Sequence, residues 1–467
     1  MLFSVEEVLN VTGGKLWLGD LKGSFHGAVI DSREAGGGEL FFPLQGEKEN
    51  GHKFILDALT RGANGSLLEE EQIPRFTAQS FPPGKSVITV KDSLQSLQKL
   101  AGYHRGKFSL SLVAVTGSNG KTTTKDFIAS VLSTRYNVLK TEGNLNNHLG
   151  LPLMLLRLKK EHQAAVLELG MSGLGEIALL TSLCRPDLGV ITNIGEAHLG
   201  LLGSKENIAR AKGELLVNMD SRGKAILNGD DPFLKQMGRE FAGQTFYYGF
   251  TEGTSLRVLN SFMDNGGYKF EVLLPDSRVE SFWISLPGKH NVYNALAAIA
   301  VGLDFSLSLQ DIKEGLAESV FSRMRMEKTP VKSGFWVIND AYNANPTSMK
   351  YSLQSLKELA RNNVKIAILG DMFELGPAAE DRHYELGRIL ADLGIDYLIS
   401  VGRLAVWIAQ GAGDAGLPPE RIFLAGNHEE AVKHVDSLNL PGSYILIKGS
   451  RGMQMEKIAG ELLKKYN

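Results

Sequence analysis

The residues best suited to do chemistry form a glycine loop at 116–123, which reads Thr-Gly-Ser-Asn-Gly-Lys-Thr-Thr. An apolar, strand-like run at 110–115 precedes the loop, and a predicted helix follows it. Gly117 and Gly120 allow a tight turn that points several backbone N–H groups at one anion, and the N-terminus of the helix adds its positive dipole. This order of elements predicts a phosphate-binding site.

Two side chains of the loop would complete such a site. Lys121 can reach the terminal phosphates of a nucleotide, and the Thr122 hydroxyl can hold Mg²⁺. The usual pattern begins with a glycine, which Val115 replaces here. An ordinary turn between a strand and a helix is the simpler interpretation, but the complete order of strand, glycines, Lys-Thr and helix disfavours it.

Two further polar residues follow predicted strands of the same sheet. Glu168 ends the strand predicted over 164–169, and His198 lies just past the strand predicted over 188–193. Such residues meet at the carboxyl edge of a parallel sheet, where ligands bind. The apolar neighbours of Glu168 predict burial, and a buried carboxylate needs a partner or a metal. Both are therefore candidate metal ligands, although a surface glutamate and a plain loop histidine are the simpler interpretations.

Three residues on predicted helices have ambiguous patterns. Lys212 lies on a helix predicted over 204–217, where a solvated lysine is the default interpretation. Asn291 and Asn294 lie at the start of another helix and share one of its faces. Their amides could read the edge of a purine or cap the helix.

Polar loops also follow three predicted strands of the C-terminal segment. The loop at 340–346 reads Asp-Ala-Tyr-Asn-Ala-Asn-Pro, Asp371 follows a second strand and Lys448 ends a third. Loops after parallel strands share one binding edge, which we expect to face the central segment. At the junction between the segments, Arg323 and Arg325 could swing onto a phosphate or form an interdomain salt bridge.

The predicted elements group into three domains, at 1–91, 92–319 and 320–467. The first mixes short strands and turns, and the other two alternate strands with helices, which predicts mainly parallel sheets covered on both faces. The β-rich runs at 245–286 predict an antiparallel flap. The predicted fold class is α/β, with a small N-terminal domain, a central phosphate-loop domain and a Rossmann-like C-terminal domain. That last domain lacks Gly-x-Gly-x-x-Gly after its first strand, which disfavours a dehydrogenase.

Composition excludes several classes of protein. The 467 residues are 43% hydrophobic and 22% charged, as in globular proteins with several domains. A net charge of -2 gives no electrostatic footprint for nucleic acid, and no apolar run reaches membrane-spanning length. The single cysteine excludes an internal disulfide framework, and the first residues lack the order of a signal peptide. We therefore expect a cytoplasmic protein, and a monomer by default.

From these residues alone, the sequence predicts a three-domain enzyme that uses ATP and Mg²⁺ and acts mainly through phosphate and metal electrostatics. A phosphate-loop kinase acting on a small molecule and a nucleotide-dependent binding protein without turnover stay open as alternatives. The long C-terminal domain and its polar loops disfavour the kinase.

The motifs resemble those of the Mur ligase family over essentially the full length of the chain, including its atypical glycine loop. The stretches Asp-Ser-Arg at 31–33 and Phe-Phe-Pro-Leu-Gln-Gly at 41–46 resemble the family's uridine-nucleotide domain. The loops at 340–346 and 370–376 are the most specific to the branch of the family that adds a dipeptide. The remaining matches, in order, lie at 143–147, 168–171, 192–198, 211–214 and 290–294.

The resemblance implies an amide ligase of peptidoglycan precursor synthesis. In such a ligase, ATP phosphorylates the terminal carboxylate of UDP-N-acetylmuramoyl-tripeptide, and D-alanyl-D-alanine attacks the acyl phosphate. The resemblance implies catalytic roles for Lys121, His198 and Lys212, and a carbamate on Lys212 that would turn a cation into a metal ligand. The implied metal ligands are Thr122, Glu168, His198 and Lys212.

The resemblance also implies two sets of binding residues. Those expected to contact ATP are Thr116, Gly117, Ser118, Asn119, Gly120, Lys121, Thr122, Thr123, Asn291, Asn294, Arg323 and Asp340. Those expected to contact the two small-molecule substrates are Asp31, Ser32, Arg33, Asn146, Asn147, Tyr342, Asn343, Asn345, Asp371 and Lys448. A related ligase with a different amino-acid substrate stays an alternative, and the third residue of the tripeptide, lysine or diaminopimelate, stays open.

Overall fold

A computed structural model describes residues 2–46, 49–438 and 441–466. Within these ranges the strands form three larger sheets and one two-stranded sheet, and helices cover the larger sheets. The predicted α/β fold class is thus confirmed. No helix in these ranges is long and apolar enough to cross a membrane.

The N-terminal part is built on a five-stranded sheet in the order β2-β7-β6-β5-β4, in which only the β2–β7 pair is antiparallel. Its two longest strands are almost entirely buried, which fits their apolar sequences. The elements are β1 (Phe3–Ser4), α1 (Val5–Thr12), β2 (Lys15–Leu18), β3 (Ser24–Phe25), β4 (Ala28–Val29), β5 (Leu40–Phe41), α2 (Ile55–Arg61), β6 (Gly65–Glu69) and β7 (Ser86–Val90). The next helix, α3 (Ser93–Arg105), begins the central part and packs against its sheet.

The central part is built on a nine-stranded sheet in the order β16-β15-β14-β13-β12-β11-β8-β10-β9. The elements are β8 (Ser111–Thr116), α4 (Lys121–Ser133), β9 (Val138–Lys140), α5 (Gly150–Leu156), β10 (Ala164–Glu168), α6 (Glu176–Cys184), β11 (Leu188–Ile191), α7 (Leu199–Leu202), α8 (Lys205–Val217), β12 (Lys224–Asn228), α9 (Pro232–Glu240), β13 (Gln244–Gly249), β14 (Leu256–Asp264), β15 (Gly267–Leu273), β16 (Val279–Ile284), α10 (Lys289–Asp304) and α11 (Leu309–Ala317).

Alternation along the central strands explains why helices cover both faces of this sheet. Val113 and Val115 of β8 pack in one hydrophobic cluster with α4 and α10, whereas Leu112 and Ala114 pack in another with α3, α6 and α8. The strands from β9 to β14 are parallel, and β14 to β16 are antiparallel. The predicted flap is therefore a continuation of the central sheet, because β13 adds to β12 in parallel and carries the hairpins at the sheet's edge.

The C-terminal part is built on a six-stranded sheet in the order β17-β18-β22-β19-β20-β21, parallel except for β17. The elements are β17 (Glu327–Pro330), β18 (Trp336–Asn339), α12 (Pro346–Ala360), β19 (Lys365–Gly370), α13 (Ala379–Asp392), β20 (Tyr397–Val401), α14 (Ala405–Asp414), β21 (Ile422–Ala425), α15 (His428–Leu438), β22 (Tyr444–Lys448) and α16 (Glu456–Tyr466).

Asp371 has a structural position in this sheet. Its buried carboxylate accepts hydrogen bonds from the backbone N–H groups of Arg403, Leu404 and Ala405, at 3.2, 2.9 and 2.7 Å, where α14 begins. A carboxylate at a helix N-terminus satisfies free N–H groups and complements the helix dipole. The expectation that Asp371 contacts substrate is therefore corrected: its oxygens are bonded to the start of α14, and it does not line the cavity between the central and C-terminal domains that is described below.

We expect Asp371→Ala to lower the free energy of unfolding by about 2 kcal/mol, because three backbone N–H groups lose a charged acceptor. Thermal unfolding followed by circular dichroism would measure the loss. Asp371→Asn is the matched control, and it should recover part of the stability because its amide oxygen can still accept. A changed KM for substrate with unchanged stability would contradict the structural role.

Candidate active site

A cavity of about 340 Å³ lies between the central and C-terminal domains, and we call it the main cavity because most of the predicted site residues line it. The glycine loop lines it from one side, and the loop after β18 lines it from the other. Of the residues predicted for the site, those in its lining are Ser118, Asn119, Gly120, Lys121, Thr122, Thr123, Asn146, Asn147, Glu168, His198, Asn291, Asn294, Asp340, Tyr342, Asn343, Asn345 and Lys448.

The glycine loop requires its two glycines. Gly117 has φ +142° and Gly120 has φ +80°, in the region that favours glycine. A Cβ on Gly117 would lie 1.9 Å from the Thr192 hydroxyl oxygen, and one on Gly120 would lie 2.4 Å from Oδ1 of Asn294. Thr116 lies at the end of β8, where its hydroxyl donates to the carbonyl of Leu169 at 2.9 Å. The loop is thus packed against its neighbours and keeps one open face.

Lys121 folds back over the loop that it follows. Its Nζ donates to the carbonyl of Gly117 at 2.9 Å and to that of Ser118 at 3.5 Å. Burial lowers the pKa of Lys121, Glu168 opposes that shift, and the positive charge of Arg325 adds to it. A phosphate in the loop would offer this ammonium a stronger acceptor than the two carbonyls.

Glu168 and Thr122 form the polar centre of the cavity. The Thr122 hydroxyl donates to Oε2 of Glu168 at 2.7 Å, and the Asn146 amide donates to Oε1 at 2.8 Å. Both Glu168 and Thr122 are buried, and the backbone N–H of Glu168 donates to the Thr141 hydroxyl at 2.8 Å. A buried carboxylate requires polar or charged partners, and carboxylate and hydroxyl oxygens are ligands of the kind that Mg²⁺ takes.

His198 faces the C-terminal domain. Its Nδ1 is 2.7 Å from Oε2 of Glu374, and this hydrogen bond is the main cause that lowers the pKa of Glu374. The loop of His198 is held further by a bond from the Gly200 N–H to the Glu374 carbonyl at 2.9 Å and by an ion pair between Glu196 and Arg382. With Nδ1 engaged, Nε2 is the ring nitrogen left to bind a metal.

Lys212 is buried, which differs from the default interpretation of a solvated lysine. Only 1% of its surface is exposed, and among the described residues its ammonium has no hydrogen-bond or ion-pair acceptor. Burial lowers its pKa well below the ordinary value, and the charge of Lys121 lowers it further. The burial of Lys212 could have been predicted from the sequence. Positions 208, 211, 215 and 216 are apolar, which places Lys212 on the buried face of α8.

Asn291 and Asn294 brace α10 against α4. The Asn291 amide donates to the Pro287 carbonyl at 2.7 Å, and its Oδ1 accepts from the Asn294 amide at 3.0 Å. Asn294 in turn accepts from the Thr124 hydroxyl at 3.1 Å. Neither side chain acts as an N-cap, since Gly288 holds the cap position without a side-chain hydrogen bond.

Asp340 and Lys448 bring two of the three predicted C-terminal loops together. The Lys448 Nζ is 2.6 Å from Oδ2 of Asp340 and also donates to the carbonyl of Asn343 at 3.1 Å. The Asp340 carboxylate accepts further bonds from the Ser352 hydroxyl at 2.6 Å and the Met326 N–H at 3.1 Å. This buried pair fixes the loop that begins at Asp340.

Of the two arginines at the domain junction, Arg325 is the one that contacts the glycine loop. Its Nη2 donates to the Thr122 hydroxyl oxygen at 2.7 Å, and its guanidinium lies 4.2 Å from the centre of the Tyr342 ring. Arg323 is exposed and lines an adjoining cavity of about 270 Å³, which Arg325 also lines. The sequence could not separate the two arginines, because the backbone between them turns through a left-handed residue, Met324, with φ +60°.

The loop after β18 touches the glycine loop directly. The Asn345 amide donates to Oδ1 of Asn119 at 2.8 Å, and the Asn345 oxygen caps α12 by accepting from the Ser348 N–H. The neighbouring Asn343 is exposed, and its oxygen accepts weakly from the Arg451 N–H at 3.4 Å. The amide of Asn343 is therefore open to the cavity.

A second cavity of about 950 Å³ lies on the N-terminal domain and contains Asp31, Ser32 and Arg33. The Arg33 guanidinium, with its backbone N–H, lowers the pKa of Asp31 to about 2. His148 and Leu149 also line this cavity, while Asn146 and Asn147 line the main one. The segment 146–149 therefore joins the two cavities, and the Asn147 side chain stabilises it by accepting from the N–H groups of Leu149 and Gly150.

Family models of Mur ligases match three consecutive ranges of the chain. The model of the Mur ligase family catalytic domain matches residues 24–105, the middle-domain model 115–302 and the glutamate ligase domain model 324–451. These ranges follow the three large sheets in order.

Individual relatives extend the match over nearly the full chain. The UDP-N-acetylmuramoyl-tripeptide–D-alanyl-D-alanine ligase of Bacillus subtilis is 39% identical, with 94% of this chain and 93% of the relative covered. The same-named enzyme of Escherichia coli is 31% identical, with 98% of each covered. A crystal structure of MurF from Acinetobacter baumannii superposes with a TM-score of 0.89 at 32% identity, covering 99% of both chains. The structure of MurF from Thermotoga maritima in complex with ADP superposes with a TM-score of 0.82 at 28% identity, covering 94% of this chain and 98% of that one. The chain therefore belongs to the Mur ligase family.

Proposed function

We propose that this chain joins D-alanyl-D-alanine to UDP-N-acetylmuramoyl-tripeptide and converts ATP to ADP and phosphate. The observation that carries the proposal is the shared cavity, in which a phosphate loop faces the polar loop at 340–345 of another domain. Full-length relatives that bear the name of this activity support it. The ADP complex of the Thermotoga maritima relative supports the use of ATP.

The first step transfers a phosphoryl group. An oxygen of the tripeptide's terminal carboxylate attacks the γ-phosphorus, the bond to the ADP oxygen breaks, and an acyl phosphate forms. Backbone N–H groups of the glycine loop, Lys121 and Arg325 would face the charge that builds up on the transferred group. Lys121 is held by the carbonyl of Gly117 and Arg325 by the Thr122 hydroxyl, so both cations lie beside the loop that would hold the phosphates.

Thr122, Glu168, His198 and a carbamate on Lys212 would hold magnesium, which supplies positive charge beside the phosphates. The oxygen ligands around Glu168 support this assignment. The buried Lys212, which has no acceptor among the described residues, supports the carbamate, because the modification replaces a poorly placed cation with an anion.

The second step forms the amide. The amine of the dipeptide attacks the carbonyl carbon of the acyl phosphate, loses a proton, and phosphate leaves from the tetrahedral intermediate. Tyr342, Asn343 and Asn345 line the C-terminal side of the cavity, where they would orient the dipeptide. Asn291, Asn294 and Asp340 line the same cavity and would contact the adenosine part of ATP.

The cavity on the N-terminal domain would bind the uridine nucleotide through Asp31, Ser32 and Arg33. An extended UDP-linked peptide could then follow the segment 146–149 into the main cavity, where its carboxylate meets the phosphate loop. On this assignment the domains are 1–91, 92–319 and 320–467, and the protein acts as a cytoplasmic monomer.

Phosphate release from ATP tests the proposal. We expect release only when UDP-N-acetylmuramoyl-tripeptide and D-alanyl-D-alanine are both present, because the acyl phosphate needs the amine to turn over. Tripeptides with lysine and with diaminopimelate should be compared. Release with the UDP-linked substrate alone would favour a kinase. No release with both substrates, but release with another amino acid, would favour a different ligase of the family.

The two arginines at the domain junction give a matched pair of variants. Arg325→Ala should lower kcat about 100-fold, in the range expected for removing a charge that stabilises a transition state. Arg323→Ala should leave kcat within about twofold, because an exposed side chain outside the cavity makes little contribution. Steady-state kinetics under saturating substrates would measure both. The opposite order of effects would restore the ATP-binding role to Arg323.

The carbamate predicts a dependence on carbon dioxide and pH. The lowered pKa of Lys212 leaves more of its amine neutral, and the neutral amine is the form that reacts with carbon dioxide. Activity should therefore fall as the pH is lowered through that pKa, fall in carbonate-free buffer, and recover when bicarbonate is added. Lys212→Ala should abolish activity, whereas Arg210→Ala, an exposed position on the same helix, should not. Carbon-13 NMR with labelled bicarbonate would detect the carbamate, and its absence from an active enzyme would exclude this role.

A further inference from the structure

Asp126 is a buried carboxylate that the proposed reaction does not use. It lies on α4 and has 0% of its surface exposed. Its Oδ1 is 3.0 Å from the Nζ of Lys125 and 3.4 Å from the Nζ of Lys140. Its Oδ2 accepts two hydrogen bonds of 2.9 Å from Ser322, one from the backbone N–H and one from the hydroxyl. Both oxygens are satisfied, as burial of a charge requires.

Ser322 belongs to the linker at 318–326, between the last helix of the central domain and the first strand of the C-terminal domain. Asp126 anchors this linker on α4, and Arg325 contacts Thr122 one helical turn earlier. Positions four apart lie on the same face of a helix. The linker therefore runs along one face of the helix that begins at the phosphate loop.

A ring contact adds a third point of attachment. Phe321 packs edge-on against Phe127, with ring centres 4.9 Å apart and planes at 82°. Phe321, Ser322 and Arg325 thus each meet a side chain of α4, which fixes the register of the linker against that helix.

The backbone around Arg325 needs such anchors. Met324 has φ +60° and Met326 has φ +52°, so left-handed residues flank Arg325 on both sides. Residues other than glycine rarely adopt this backbone conformation, and it persists where surrounding contacts stabilise it. Ser322 supplies the anchor before this strained stretch, and the bond from the Met326 N–H to Asp340 supplies the one after it.

Arg325 retains capacity to bind another group. Its Nε is buried and has no hydrogen-bond acceptor within the described part of the chain, while its Nη2 contacts Thr122. A phosphate oxygen would supply the missing acceptor. The guanidinium is thus held beside the phosphate loop with a donor still free.

We propose that Asp126 is a positioning residue for nucleotide binding and turnover. By holding Ser322 it sets the register in which the linker presents Arg325 to the phosphates. Asp126 lies outside the cavity lining, so its effect passes through Arg325. The inference rests on the proposed function in one respect, namely that Arg325 contacts ATP.

A double-mutant cycle tests the proposal through nucleotide binding, without requiring turnover. The affinity of a non-hydrolysable ATP analogue with Mg²⁺ would be measured by calorimetry for wild type, Asp126→Asn, Arg325→Ala and the double variant. We expect Asp126→Asn to weaken binding about tenfold when Arg325 is present, and less than about twofold when it is absent, as for residues of one network. A purely structural role predicts the same factor in both backgrounds.

Two more variants keep the test decisive if Asp126→Asn unfolds. Ser322→Ala removes one hydrogen bond and leaves both lysines paired, so we expect a smaller loss of about threefold with the same dependence on Arg325. Lys140→Ala is the control, because it removes a half-exposed partner on the other side of the carboxylate, and it should bind the analogue as wild type does.

The outcomes are distinct. The positioning role would be overturned if Asp126→Asn weakened analogue binding by the same factor with and without Arg325. It would also be overturned if Asp126→Asn and Ser322→Ala both bound the analogue with wild-type affinity. Coupled losses of affinity in a protein that releases no phosphate with any substrate pair would uphold it while the proposed ligase activity fails.

Discussion

The active site depends on the charge of one buried carboxylate. Glu168 ends β10 with 3% of its surface exposed, and the donors that bond it directly, Thr122 and Asn146, are neutral. A buried charge of this kind lowers stability unless positive charge compensates it. Lys121 and Arg325 lie close enough to offset that charge. The arrangement explains why Lys121 and Arg325 both lie near Thr122.

Part of this compensation comes from outside the central domain. Arg325 lies on the linker at 318–326 and contacts Thr122, and Asn345 of the C-terminal domain donates a hydrogen bond to Asn119 of the glycine loop. On another flank, Glu374 bonds His198. The central domain alone would hold the carboxylate and the phosphate loop without the contacts that surround them. The site is therefore completed by contacts from the linker and the C-terminal domain.

The sequence predicts the parts of this site that depend on local pattern. The glycine loop, the strand that ends at Glu168 and the alternation of strands and helices follow from neighbouring residues, and the structure contains them. Long-range geometry decides the rest. Arg323 and Arg325 are two positions apart, and only the left-handed turn at Met324 separates their surroundings. Asp371 was predicted to bind substrate because it follows a strand, but its oxygens accept hydrogen bonds from the backbone at the start of α14. The burial of Lys212 was predictable in part, because its helical face is otherwise apolar.

Backbone strain is concentrated where the two domains meet. Of the ten residues other than glycine with positive φ in the described ranges, four lie at this junction: His198, Met324, Met326 and Glu374. Each such residue costs on the order of 1 kcal/mol, so the joined arrangement must be stabilised by contacts that outweigh several kcal/mol. The bond between His198 and Glu374 and the bond from Met326 to Asp340 hold three of them. A reaction that admits three substrates and then excludes water requires the two domains to close over the site, and the polar contacts at this junction favour closure.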